Sequence, residues 1–156
     1  MKTILFVCTA NIARSPMAEA IFNQMMRVRG LDDLCRAESA ATWGMDGLPA
    51  ADDGQQVMLE RGLDTSTHRS RVITTEIVQK ADLILAMESG HVEALKFEFW
   101  NKEDKIYLLS EMAGPPFDIG DPYRRGIKRF RATAQELDEI LENGIEKILE
   151  LASENG

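Results

Sequence analysis

The chain has 156 residues, with 18 Lys and Arg against 26 Asp and Glu, a formal charge of −8. A negative total argues against non-specific nucleic-acid binding, which needs a positive face, and the length fits one domain, residues 1–156, with a core of its own. Two cysteines, Cys8 and Cys35, are too few for a secreted disulfide scaffold and point to a reducing cytoplasm.

Residues 1–7 open like a signal peptide, but Asn11 and Arg14 interrupt the apolar run early. No segment approaches the roughly 18 apolar residues of a membrane span. Thr3-Ile4-Leu5-Phe6-Val7 is short, apolar and rich in β-formers, and predicts a strand buried on both faces. Ser15-Pro16-Met17-Ala18-Glu19 carries helix-start signals: serine as N-cap, proline at the first helical position and glutamate in the first turn. Ala20, Ile21, Met25 and Val28 continue that helix, up to Gly30. Residues 34–39 predict a second strand and 51–61 a helix that stops at Gly62. Residues 81–87 predict a third strand, 91–99 a helix and 105–109 a last strand. From 124 to 152 the pattern is a long amphipathic helix. Its inner stripe is Phe130, Leu137, Ile140, Leu141, Ile145, Ile148 and Leu149, and Gly144 inside it is expected to weaken or break it.

Strands alternating with helices mean βαβ units. The fold class is α/β: a single three-layer α/β/α domain with a four-stranded parallel sheet. In open sheets of this kind ligands sit at the carboxyl ends of the strands. The loop after the first strand and the long loop 112–122 are both expected to emerge there.

The first of these loops, Cys8-Thr9-Ala10-Asn11-Ile12-Ala13-Arg14-Ser15, carries the chemistry. Its backbone N–H groups curl into a helix N-terminus, which forms an anion cradle. Arg14 adds a planar fork for two phosphate oxygens. This positive potential favours a thiolate on Cys8 at neutral pH and stabilises charge on a phosphoryl group in transfer. Alone, a cysteine ending a strand reads as a small buried hydrophobe, and Cys35 is read that way. Beside Arg14, the preceding strand and the Ser-Pro helix start, Cys8 reads as a phosphate-facing nucleophile. No nucleotide loop and no metal-ligand cluster is present in the sequence, so no cofactor and no metal is implied.

Val7-Cys8-Thr9-Ala10-Asn11-Ile12-Ala13-Arg14-Ser15-Pro16-Met17-Ala18-Glu19-Ala20 resembles the signature loop of the low-molecular-weight protein tyrosine phosphatases. Ser39-Ala40-Ala41-Thr42 resembles the family's second loop, His68-Arg69-Ser70-Arg71 its histidine segment and Ala86-Met87-Glu88 the end of its third strand. Asp121-Pro122-Tyr123 resembles its general-acid loop.

The resemblance implies hydrolysis of phosphotyrosine, or of an aryl phosphate, through a phosphocysteine on Cys8. Arg14 would bind phosphate, and Asp121 would protonate the leaving phenolate and then activate water. Residues 9–13 (Thr9, Ala10, Asn11, Ile12 and Ala13) would form the cradle, and Ser15 would hydrogen-bond the thiolate. Asn11 would take an unusual backbone conformation, which asparagine tolerates, and bond to Ser39 and His68. Read alone, Ser39 and His68 are ordinary loop residues, Ser15 is an N-cap and Asp121-Pro122 a turn pair. His91 reads as a solvated or capping residue. The substrate is expected to be a phosphotyrosine protein or a small aryl phosphate, with no nucleic-acid or membrane partner and a monomer favoured.

Three positions depart from the family pattern. Many relatives carry a second cysteine where Ala13 stands, and a disulfide there shelters the nucleophile, so oxidation of Cys8 is expected to run on to irreversible acids. Ala10 stands where glycine is common, which is tolerated only at negative φ. The pocket wall is expected from Trp43 or Met45 on one side and Tyr123 on the other. Arg124, Arg125, Lys128, Arg129 and Arg131 form either a solvated helix face or a local patch for acidic phosphopeptides. Rival functions on the same pattern are an arsenate reductase, which needs further cysteines, a sugar-transport phosphocarrier, which needs neither Arg14 nor Asp121, and a non-catalytic phosphoprotein-binding module.

Overall fold

A computed structural model describes residues 1–155. Four strands, β1 (Lys2–Cys8), β2 (Cys35–Ala41), β3 (Leu83–Ala86) and β4 (Ile106–Leu108), form one sheet in the order β2-β1-β3-β4. Every pairing is parallel, and β1 lies against both β2 and β3.

Helices cover both faces: α1 (Arg14–Val28), α2 (Asp52–Glu60), α3 (Thr75–Lys80), α4 (Ser89–Glu98) and α5 (Ile127–Glu154). Alternate side chains of β1 divide between two cores, as the two-residue period of a strand requires. Ile4, Phe6 and Cys8 join the core made with α1, α2 and α5. There Phe6 meets Phe22 of α1 edge to face, with ring centroids 5.8 Å apart. Leu5 and Val7 join the smaller core made with Val78 of α3 and Leu95 of α4. This is the three-layer α/β/α architecture expected from the sequence. Among the described residues, no helix is long and apolar enough to cross a membrane.

Three local expectations are corrected. Ser15 is not the N-cap of α1: the helix begins at Arg14, Ala13 is its cap residue, and no side chain caps it. The Ser15 hydroxyl is engaged by Cys8 and Asn11 instead. Gly144 does not break the last helix, which runs unbroken from Ile127 to Glu154. A methyl at residue 144 would sit 2.8 Å from Cβ of Met112, so glycine permits a close approach between α5 and the 3-10 turn Leu109–Met112. That helix also starts later than residue 124, because Arg124 (φ 61°) and Gly126 (φ 92°) are left-handed.

The short helix α3 has no counterpart in the sequence reading. Its cap is local, with the Thr74 hydroxyl accepting the N–H of Ile77 at 3.1 Å.

Candidate active site

The parallel sheet brings Cys8 to its carboxyl edge, where Cys8 pairs with Ala41 of β2. Backbone bonds stitch the second loop to the first: Thr42 N–H donates to the Cys8 carbonyl and Trp43 N–H to that of Thr9, both at 3.0 Å. The cradle loop then turns into α1. Asn11 has φ 59°, the left-handed region that the sequence reading expects of it. Ala10 is not among the positive-φ residues, so its methyl is tolerated.

Asn11 is fully buried and every polar atom of its side chain is used. Its Nδ2 donates to Ser15 Oγ at 2.8 Å and to Ser39 Oγ at 2.9 Å. Its Oδ1 accepts the N–H of Arg71 at 3.1 Å, which fixes the orientation of the amide. Its carbonyl meets His68 Nε2 at 2.7 Å, and because a carbonyl only accepts, the imidazole donates. Ser39 Oγ in turn donates to Glu19 Oε1 at 2.6 Å. Burial raises the Glu19 carboxyl above its ordinary range, against the lowering effect of Ser39, His68 and Arg71.

This network sets the direction of one further bond. Ser15 Oγ lies 2.9 Å from Cys8 Sγ. With an Asn11 N–H already pointing at the Ser15 oxygen, the Ser15 hydrogen is free to donate to sulfur. The arrangement suits a thiolate, which only accepts.

Arg14 is 1% exposed. Its Nη1 donates to Glu88 Oε2 at 2.6 Å and to the Ile119 carbonyl at 2.7 Å. The opposite edge of the guanidinium is open: Nε has no hydrogen-bond partner, and Nη2 lies 3.8 Å from Asp121 Oδ2. A buried orphan donor beside a second N–H is a fork for two oxygens of one anion.

The long loop after β4 is pinned on three sides. Ser110 Oγ bonds both the N–H and the carbonyl of Phe117. Asp118 accepts from the N–H and hydroxyl of Ser89 at the start of α4. Ile119 N–H donates to the Met87 carbonyl at 3.0 Å. Asp121 thereby faces Arg14 from a half-exposed position, with Oδ1 accepting the N–H of Tyr123 at 3.0 Å.

A groove of about 480 Å³ adjoins the cradle, lined in part by Ile12, Leu48, Asp52, Asp53 and Tyr123. Trp43 and Met45 do not line it and stand largely in solvent. Arg124 lines it beside Tyr123, its guanidinium 5.3 Å from the ring centroid. Of the basic stretch, Arg131 is paired with Glu60 at 2.8 Å.

The structure brings together Cys8, residues 9–13, Arg14, Ser15, Ser39, His68 and Asp121. The sequence reading did not name Glu19, Arg71 or Asp118 as site residues, and it used Glu88 only as the end of a strand. His91 caps α4, as one of its two readings has it, but its side chain is largely buried and reaches the cradle through Thr9. Among the described residues, no three His, Cys, Asp or Glu side chains cluster as a bound metal would need.

Together, the parallel sheet, the loop between β1 and α1 and the open arginine fork define a phosphate-handling α/β domain with a cysteine at its centre. Residues 3–153 match the family model described as low molecular weight phosphotyrosine protein phosphatase. The chain is 35% identical over 146 residues to a probable low molecular weight protein-tyrosine-phosphatase, EpsP, of Ralstonia nicotianae, covering 94% of this chain and 92% of that one. It is 33% identical over 139 residues to a protein-arginine-phosphatase of Bacillus subtilis, covering 88% and 91%. The solved low molecular weight protein tyrosine phosphatase from T. tengcongensis superposes with a TM-score of 0.89 at 37% identity, covering 94% of this chain and 99% of that one. The chain belongs to the low molecular weight phosphotyrosine protein phosphatase family and is a phosphatase.

Proposed function

We propose that this phosphatase hydrolyses phosphotyrosine, or an aryl phosphate of the same kind, in two steps through a phosphocysteine on Cys8. The observation that carries the reading is the open Nε and Nη2 edge of Arg14, buried next in sequence to the Ser15 that meets Cys8. Two phosphoryl oxygens bind that fork and the cradle N–H groups of residues 9–13. The Cys8 thiolate attacks phosphorus as the bond to the phenolic oxygen breaks, and Asp121 gives its proton to that oxygen. Asp121 then takes a proton from water, whose oxygen attacks the phosphocysteine. The thiolate leaves with Ser15 donating to it, and inorganic phosphate is released. Asn11, Ser39 and His68 hold the loop open, each through a bond described above. The whole chain, 1–156, acts as one domain, and its two unpaired cysteines suit the cytoplasm.

Ile12, Leu48 and Tyr123 give the groove an apolar wall suited to an aromatic ring. A second reading, phosphoarginine, is favoured by Asp52 and Asp53 in the same groove, because carboxylates pair with a guanidinium.

The test compares kcat/KM of the full-length protein on a phosphotyrosine and a phosphoarginine peptide of one sequence. Phosphotyrosine is expected to be preferred by at least about tenfold, the effect of one well-placed apolar contact. Asp121→Asn is expected to lower kcat on phosphotyrosine by roughly 100-fold, in line with loss of a general acid. A preference for phosphoarginine would transfer the reading to the second substrate. No phosphatase activity on either would sink the Cys8 mechanism.

A further inference from the structure

His91 lies in the first turn of α4, and its ring joins two parts of the site that are far apart in sequence. Nδ1 accepts the backbone N–H of Glu88 at 3.2 Å. That bond leaves Nδ1 without a proton, so Nε2 carries the hydrogen and donates to Thr9 Oγ1, 2.9 Å away. Thr9 is the first cradle residue after Cys8. Glu88 is the carboxylate that holds Nη1 of Arg14, and its Oε2 lies 3.8 Å from His91 Nε2. The His91 side chain is 11% exposed.

We propose that His91 is a positioning residue for the phosphate site: its neutral, Nε2-protonated ring locks Thr9 to the Glu88 anchor of Arg14, so that cradle and fork keep one spacing. The inference rests on the phosphate-cradle reading above and adds a residue to it. An imidazolium cannot make both bonds, because its Nδ1–H would point at the N–H of Glu88. Glu88 beside it, Arg14 from α1, and Asp118 and Asp121 from the loop after β4 are the charged groups that face it. Burial, and then Arg14, hold the ring below its usual value, against the pull of the three carboxylates.

The relation is reciprocal: if phosphate binds the neutral-ring state better, saturating phosphate must lower the His91 titration midpoint. A phosphate dianion that merely sits nearby would raise that midpoint by attraction. The measurement is ring-nitrogen NMR of the full-length wild type with and without inorganic phosphate. The chain has two histidines, and the spectrum of His91→Gln assigns them.

The expected result is an Nε2–H tautomer and a midpoint that falls on phosphate binding. In parallel, His91→Ala is expected to weaken inhibition by inorganic phosphate about tenfold, the upper end of what one hydrogen bond contributes. His91→Gln, with a neutral acceptor and donor, should stay within about threefold of wild type. An Nδ1–H tautomer, or a midpoint that rises or stays fixed while phosphate binds, overturns the assignment of His91 alone. A wild type that binds no phosphate overturns the cradle reading and this inference with it. Should His91→Ala fail to fold, the wild-type titration still decides.

Discussion

Cys8 and Cys35 are two thiols of one sheet, alike in burial at 3% and 2% exposed, and alike in little else. Cys35 opens β2 opposite Lys2, while Cys8 closes β1 opposite Ala41. Burial first, and Asp82 second, push the Cys35 thiol up to about 11. Cys8 instead has a hydroxyl donor at 2.9 Å and a helix N-terminus immediately after its loop. The contrast shows that burial alone does not tell the two thiols apart. The carboxyl edge of a parallel sheet gathers loop N–H groups and helix N-termini, and the amino edge offers none of them. The same residue type therefore stands among these donors at one edge and away from them at the other.

The sharpest way to break this comparison is to remove each thiol. Cys8→Ser is expected to lower hydrolysis of an aryl phosphate by more than about 1,000-fold, as loss of a nucleophile does. Cys35→Ala is expected to leave kcat/KM within about twofold and to cost about 1 kcal/mol in denaturant unfolding, the effect of a small buried side chain. Equal kinetic losses in the two would erase the distinction.

A smaller effect is expected from Ser15→Ala, which keeps the fold of α1 but removes the donor to sulfur. Hydrolysis should slow by about tenfold, in line with one hydrogen bond to a charged group. Alkylation of Cys8 by iodoacetate at neutral pH should slow in parallel. Unchanged alkylation would mean that Ser15 serves the loop and not the thiolate.

The smallest effect concerns the network behind the cradle. The Glu19 carboxyl is raised above 4.5 by burial, so the folded state holds that proton more tightly than the unfolded chain. Its contribution is fully present below the unfolded value and is lost as pH rises through the folded one. Relative to Glu19→Gln, the wild type should gain stability as pH falls from about 7 to about 4.5. Parallel stability curves for the two proteins would show that Glu19 is not the group responsible.

Legibility in the sequence followed the range of the interactions. The strands and the larger helices were readable because hydrophobic period and stop signals are local, and α3 escaped because six residues hold too little of either. Cys8 and Arg14 were readable because one loop carries both. Ser15 offers two roles in the sequence, cap and partner of the Cys8 sulfur, and only the second holds, because its partners are a thiol seven residues back and an amide four back. Glu88, 74 residues from Arg14, and Arg71, 60 from Asn11, carry no local mark of their roles. Asp118 shared its loop with the more recognisable Asp121-Pro122 pair.

The strand register has a consequence for the chemistry of repair. Cys35 pairs with Lys2 and Cys8 with Ala41 on the same two strands, which sets the thiols about 20 Å apart at roughly 3.3 Å per residue. A disulfide needs Cα atoms within about 7 Å, so these two sulfurs cannot meet in the folded chain, and Ala13 offers no third. An oxidised Cys8 must therefore draw its rescuing thiol from the surrounding solution. Peroxide then acts on this enzyme as a race between further oxidation and the ambient reductant, and the outcome measures the redox supply of its environment.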